Sequence, residues 1–159
     1  MTDFAALTGL IQSELKTGEE LLSALEQEKA LLEARQLDGL GDLLSHKANL
    51  LTALEQVRNK RNALLLPMGL SEDQTILSQQ LAEAQEPLAT AALDALKTLS
   101  EQLVKCKYYN ELIGILISKS RKRNQRRMDI MKGVANEQKL YTAHGQTTTA
   151  SARSNVHEA

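Results

Sequence analysis

His46, His144 and His157 are the histidines of this chain, and Cys106 is its one thiol. Metal ligation needs such donors grouped at short fixed spacings, and nucleophilic catalysis needs a Ser or Cys within reach of a His. The three histidines are far apart in sequence, and there is no His-Glu-x-x-His, no Cys-x-x-Cys and no phosphate-cradling glycine loop. The glycines of "GLGD" (residues 39–42) stand at the wrong spacing for a dinucleotide turn. Acids are plentiful, and on helices they form solvated faces. The reading is a protein without catalysis, metal or cofactor. The chemistry left to it is that of surfaces: a run of bases, a methionine-containing apolar patch, and a tyrosine in a polar tail.

These groups need elements to position them. A chain of 159 residues fits one domain, and its 3% aromatic content, absence of Trp and two prolines leave an apolar mass that is mostly Leu and Ala. The expected class is all-α, an antiparallel bundle of three long helices plus one short helix, with a flexible C-terminal tail. The first helix is expected to start at Thr2 or Asp3, with a seam through Ile11, Leu15, Gly18, Leu22, Leu25, Lys29 and Leu32. A turn is placed at residues 36–41. The second seam reads Leu37, Leu40, Leu44, Lys47, Leu51, Leu54, Arg58, Arg61 and Leu65, widened by Leu43, Leu50, Val57 and Leu64. Pro67 is expected to end it by disfavouring helical geometry at Leu66.

"SEDQ" (residues 71–74) has the form of a capping box with Ser71 as N-cap of a short helix that runs to Pro87. The third long helix follows, with seam positions Ala92, Leu96, Leu99, Leu103, Cys106, Asn110, Ile113 and Ile117. Cys106 reads as a buried structural thiol, and Asn110 as a polar residue that fixes register. At 1.5 Å per residue the first two helices span roughly 45–50 Å and the third ~70 Å, so the third should outrun its neighbours from about residue 118. The expected layout is therefore a bundle over residues 1–135, its last helix overhanging, and a disordered tail over 136–159.

Beyond residue 118 the seam turns polar, and Met128, Met131 and Val134 then restore an apolar face with no evident partner in the chain. Charge is polarised in the same direction. Residues 1–57 hold ten acids and four bases, whereas residues 105–159 hold four acids and eleven bases. "SKSRKRNQRR" (residues 118–127) carries Lys119, Arg121, Lys122, Arg123, Arg126 and Arg127 without an acid. A solvated basic face, a docking surface for an acidic protein, and a nucleic-acid site all fit it. No aromatic is interleaved to stack on bases, and the pI of 6.3 is not that of a basic domain, so nucleic acid is not the expected partner. The start of the chain does not look like a signal peptide, and the longest apolar run, "LIGILI", falls far short of the ~20 residues of a membrane span. With one cysteine and no intrachain disulfide, a reducing, cytoplasmic setting without membrane insertion is expected.

Three stretches resemble the FlgN family, cytoplasmic export chaperones of the bacterial flagellum. "KANLLTALEQVRNKRNALLLPMGL" (residues 47–70) is similar to the family's pattern at Lys47, Leu50, Leu51, Leu54, Arg61, Leu64, Leu65, Gly69 and Leu70. "YYNELIGILI" (residues 108–117) resembles the Asn-centred segment of its last long helix. "KLYTAHGQT" (residues 139–147) looks like its tail motif of a Tyr followed four residues later by Gly, here Tyr141 and Gly145. Thr142 stands where the family often has Asp or Gly.

The resemblance implies an all-α bundle that binds the C-terminal helical segments of the hook–filament junction proteins FlgK and FlgL. Such a chaperone keeps them from assembling early and delivers them to the type III export gate, where the tail tyrosine is implicated in docking on FlhA. Carried onto this chain, client contact falls on Ile113, Leu116, Ile117, Met128, Met131 and Val134. The six bases would steer an acidic segment, and Tyr141 with Gly145 would engage the gate. The readings that compete with it are a structural coiled-coil or bundle subunit, and a nucleic-acid-associated helical protein.

Overall fold

Every regular element among the described residues is a helix: α1 (Thr2–Glu33), α2 (Leu40–Leu65), α3 (Gln74–Glu83) and α4 (Pro87–His157). The computed structural model describes the backbone of residues 2–157 and the side chains of residues 3–136. The chain forms two compact units, Met1–Leu116 and Ile117–Ala159, and α4 contributes to both. The all-α class and the short third helix match the expectation.

Along α1 Leu7, Ile11, Glu14, Gly18, Leu21, Leu25 and Glu28 are buried, four and three residues apart in alternation, with Ala24 buried beside them. That period keeps one stripe against a neighbouring helix. The expected seam was right at Ile11, Gly18 and Leu25. At the intervening positions Glu14, Leu21 and Glu28 take the places assigned to Leu15, Leu22 and Lys29. Two of these are acids, and bases of α2 explain them. Lys47 Nζ donates to Glu28 Oε2 at 2.8 Å, and Arg61 Nε stands 3.2 Å from Glu14 Oε2. The early acid meets the late base and the late acid the early base, so α1 and α2 run in opposite directions. The second seam is corrected accordingly. The supposed flanking row Leu43, Leu50 and Val57 joins Lys47, Leu54 and Arg61 at the contact, while Leu44, Leu51 and Arg58 face outward.

The turns differ from expectation in instructive ways. Leu66 keeps right-handed helical geometry (φ −58°, ψ −53°) in front of Pro67. The reversal comes at Gly69 (φ 69°), where the Leu70 N–H donates to the Leu65 carbonyl at 3.0 Å and the Gly69 N–H to Leu66 at 3.1 Å. This paired closure suits a residue without Cβ. At α3 the N-cap is Asp73, not Ser71: its carboxylate accepts from the N–H groups of Thr75 and Ile76 at 2.9 and 3.1 Å. A carboxylate at a helix start outcompetes a hydroxyl because the acceptor is charged. Ser71 instead accepts from the Asp73 N–H at 3.1 Å. Pro87 opens α4, where its missing N–H leaves nothing unsatisfied.

Leu7, Ile11, Leu65, Leu77, Leu81 and Leu96 are fully buried where α3 closes one end of the first unit. Each contributes about 1.5–3 kcal/mol relative to exposure. Further along, Leu21, Ala24, Leu25, Leu50, Cys106 and Ile113 form a second cluster. The expected α4 seam is right at Ala92, Leu96, Leu99, Cys106 and Ile113, and is displaced by one residue at two positions. Gln102 is buried in place of Leu103, and Asn110 is exposed beside half-buried Tyr109, so Asn110 sets no register. The reason lies on α1. A Cβ at Gly18 would overlap the carboxamide of Gln102, so glycine leaves the notch that Gln102 fills without displacing it. From there Gln102 Nε2 donates to the Leu15 carbonyl at 3.1 Å. Cys106 is buried as expected, and burial pushes its thiol pKa up, away from the reactive thiolate.

Burial raises the Glu14 carboxyl above its ordinary 4.5, partly offset by Arg61 and Arg58, and burial also lowers the pKa of Arg61. Glu14 Oε2 and Arg61 Nε have no hydrogen-bond partner among the described residues. Arg61→Leu alone should therefore cost about 3–5 kcal/mol by leaving a buried carboxylate unpaired, while Glu14→Leu/Arg61→Leu should recover most of it, as buried pairs replaced by apolar groups do. Denaturant titration of the three chains checks this. A raised carboxyl pKa favours the folded state below 4.5 and less so above, as pH rises through the folded value. Relative to Glu14→Gln, the parent chain should thus lose stability as pH rises from 4.5.

Candidate functional site

The described residues of the second unit belong to a single helix, α4. Between Ile117 and Asn136 the sequence is rich in Arg and Lys, with two Met, side chains that lose little freedom in a helix. All of residues 121–136 are exposed. Met128, Met131 and Val134 follow one another at three-residue intervals, and at roughly 100° per residue they occupy about a third of the helix circumference. Ile117 falls within that sector, and Ile130 lies about 40° outside its edge at Val134. Met131 keeps 71% of its surface open, more than the others. A partner that covered these four would bury thioether and branched side chains that adapt to uneven surfaces.

Lys119, Arg121, Lys122, Arg123, Arg126 and Arg127 are also all exposed. By the same angular step Lys119, Lys122, Arg123, Arg126 and Arg127 fall within one arc of about 140°, and Arg121 lies apart from them. The acid among residues 117–136 is Asp129, and its Oδ1 accepts from Gln125 Nε2 at 2.9 Å. Arg123 Nη2 donates to Ser120 Oγ at 3.4 Å. None of the six bases makes an ion pair among the described residues. This is a broad band of uncompensated positive charge beside an apolar face.

The other sequence-derived candidates fall elsewhere. Ile113 is 2% exposed, held in the first unit with Leu25, Leu50 and Cys106, so a client reaches it only by displacing the bundle. Leu116 is half-buried. Tyr141 and Gly145, with the flexible tail expected over residues 136–159, lie outside the residues whose side chains are described. Among the described residues no group of three potential metal ligands exists, and no helix is long and apolar enough to cross a membrane.

Sequence reading missed a set of exposed apolar residues on the first unit: Leu44 and Leu51 on α2, and Val104, Tyr108 and Ile115 on α4. Tyr108 is 58% exposed, and its ring meets Tyr109 edge-on at a centroid distance of 5.7 Å. The expected α2 seam placed Leu44 and Leu51 inward, and the expected α4 seam took Leu103 and Asn110 as inward beside Val104 and Tyr108. The buried polar set was missed too. Its signal was present: Glu14 and Glu28 stand fourteen residues apart, as do Lys47 and Arg61.

The profile of a protein family described as FlgN protein matches residues 1–149 of this chain. No curated protein matches it. Among solved structures, the crystal structure of a protein of Pseudomonas aeruginosa described as flagella synthesis protein FlgN is similar, with 25% identity and a TM-score of 0.64. That similarity covers 72% of this chain and 88% of the other.

Since Met128 and Met131 support nothing within the described structure, Met128→Gln/Met131→Gln should leave stability within about ±0.5 kcal/mol of the parent, as surface changes away from packed features do. Denaturant titration followed by circular dichroism checks this, and a loss of several kcal/mol would mean that the pair packs on the chain itself.

Proposed function

The chain belongs to the FlgN family of flagellar chaperones, and from that premise we propose that it carries hook–filament junction proteins of the FlgK and FlgL type to the export gate. The observation that supports this reading most directly is the face formed by Ile117, Met128, Met131 and Val134, exposed beside six bases without acid partners. An amphipathic helix from the client would lay its apolar side on that face, a helix-to-helix mode of recognition. Acids on the client would be drawn by the basic band from Lys119 to Arg127, which raises the encounter rate more than the affinity. Ile113 and Leu116 would enter only if a client penetrated further into the first unit. The work is binding and release in the cytoplasm, without catalysis or cofactor.

Delivery is assigned to Tyr141 and Gly145, matched to the family's tail motif. An aromatic ring gives a short segment one large apolar anchor with a polar tip. The contact with FlhA would be brief, which suits a carrier that must release its cargo.

Two substitutions separate the two roles. Met128→Asp/Met131→Asp should weaken binding of a purified FlgK or FlgL C-terminal segment at least tenfold by calorimetry, the loss of two buried apolar contacts of about 1.5–3 kcal/mol each. Tyr141→Ala should leave that binding unchanged and lower secretion of the client. Unchanged client affinity in the first variant removes the proposed face, and normal secretion in the second removes the tail anchor.

A further inference from the structure

α3 fills only part of the groove it lies in. Its first residue, Gln74, donates through Nε2 to Ser100 Oγ on α4, and Glu72 just before it accepts from Asn62 Nδ2 on α2 at 3.4 Å. The start of α3 therefore sits between α2 and α4. Its end at Glu83 returns within three residues to the start of α4 at Pro87, so α3 runs antiparallel to α4. The groove continues past Gln74, and side-chain cover stops at the same point. On α4 the stripe of alternating four- and three-residue steps begins with buried Leu96 and half-buried Ser100, then passes to exposed Leu103, Lys107, Asn110 and Gly114. On α2 it begins with buried Leu65 and half-buried Asn62, then passes to exposed Arg58, Glu55, Leu51, Ala48 and Leu44. Leu103, Leu51 and Leu44 are 39, 47 and 43% exposed, so the unit covers each in part and leaves the rest as a wall. A Cβ added at Gly114 would meet nothing within 4 Å, and Ala48 is small, so another backbone could come close there. Arg58 and Lys107, like Glu55, have no ion-pair partner among the described residues.

We propose that this vacant length of the α2–α4 groove seats an amphipathic helix of the client, laid in line with α3. The inference rests on the chaperone reading above and adds to the Met128 face a separate seat, for which the chain's own α3 supplies the pattern. α3 buries Leu77 and Leu81, four residues apart, in the cluster that holds Leu65 and Leu96. The incoming helix needs the same arrangement, leucine-sized side chains at i and i+4 facing Leu103, Leu51 and Leu44. Acids on its flanks would meet Arg58 and Lys107, and a base would meet Glu55. The α4 wall from Leu103 to Gly114 is about 16 Å long and the α2 wall from Arg58 to Leu44 about 21 Å, room for about 11–14 helical residues. A lone helix of that length is marginal in water, so the client segment would order as it docks.

An environment-sensitive fluorophore on Ala48→Cys of the full chain, titrated with the purified FlgK or FlgL C-terminal segment, tests the proposal. Its emission should shift to the blue on binding, whereas the same label on Asn49→Cys, exposed one step further round α2 and away from the groove, should not respond. Buried Cys106 leaves the introduced thiol as the one labelled. Leu51→Gln/Leu103→Gln and, separately, Gly114→Glu should each weaken binding of the segment about tenfold by calorimetry. Gly114→Glu meets no neighbour and favours the helix, so it decides the matter if the leucine pair lowers melting. Unchanged affinity in both variants, or an Asn49→Cys label that responds as the Ala48→Cys label does, overturns the groove. The Met128 face then stands, because Met128→Asp/Met131→Asp is measured separately. A parent chain that binds no segment overturns both readings. An Ala48→Cys label that shifts with chain concentration and ignores the segment would give the groove to a second copy and overturn the proposal as well.

Discussion

Two carboxylates withdrawn from water on one edge of α1 set the terms for the first unit. Glu14 and Glu28 are each 3% exposed in the side chain and must be met by cations at matching heights. Arg61 and Lys47 meet them because both pairs span the same fourteen residues on helices of opposite direction. Sliding α2 by one heptad would put Leu54 against Glu14 and Leu40 against Glu28 in one direction, and Met68 and Leu54 against them in the other. Either leaves two buried anions facing hydrocarbon. A leucine seam alone would tolerate the slip, since one leucine layer resembles the next. The charges add little to stability and a great deal to register.

How much of this was legible from residues alone follows from the same contrast. Helical class, helix order and the leucine content of the core come from composition and period, and these could be read. The rotation of each helix about its axis could not be read so far. On α1, Leu15, Leu22 and Leu32 form an apolar row as convincing as the true one, and a scan for hydrophobic side chains prefers it to a row holding Glu14 and Glu28. On α4 the scan prefers Leu103 to Gln102 for the same reason. Polar groups sit at contact positions when a specific partner awaits them, and that partner is 47 residues away for Arg61 beyond Glu14 and 87 for Gln102 beyond Leu15. The α3 cap was misplaced by two residues because a serine and an aspartate competed for one role.

The second unit inverts this logic. Its described side chains face solvent, and its bases lack the counter-charges that every buried acid of the first unit has. The first unit thus sets a cation against each buried acid, and the second carries cations without ion-pair partners among the described residues, beside exposed thioethers. Under the proposed function such a division would separate the part that keeps its shape from the part that accepts another chain's. The exposed methionines accommodate varied shapes, and the bases act at a distance and tolerate variation in the approaching sequence.

The Gln102 side chain seated over Gly18 bears on what may occupy the first unit's interior. A protein that handles amphipathic helices risks having one take the place of its own, since a leucine stripe fits many grooves. The seat along α4 is not open to every such stripe. An intruder would need a residue without a side chain at one height and, three residues earlier, a backbone oxygen free to accept the carboxamide's N–H. Most helices carry a side chain at the first position, and the Gln102 amide would have to swing aside and give up its bond to the Leu15 carbonyl. Under the proposed function this seat would favour the chain's own first helix over a bound one.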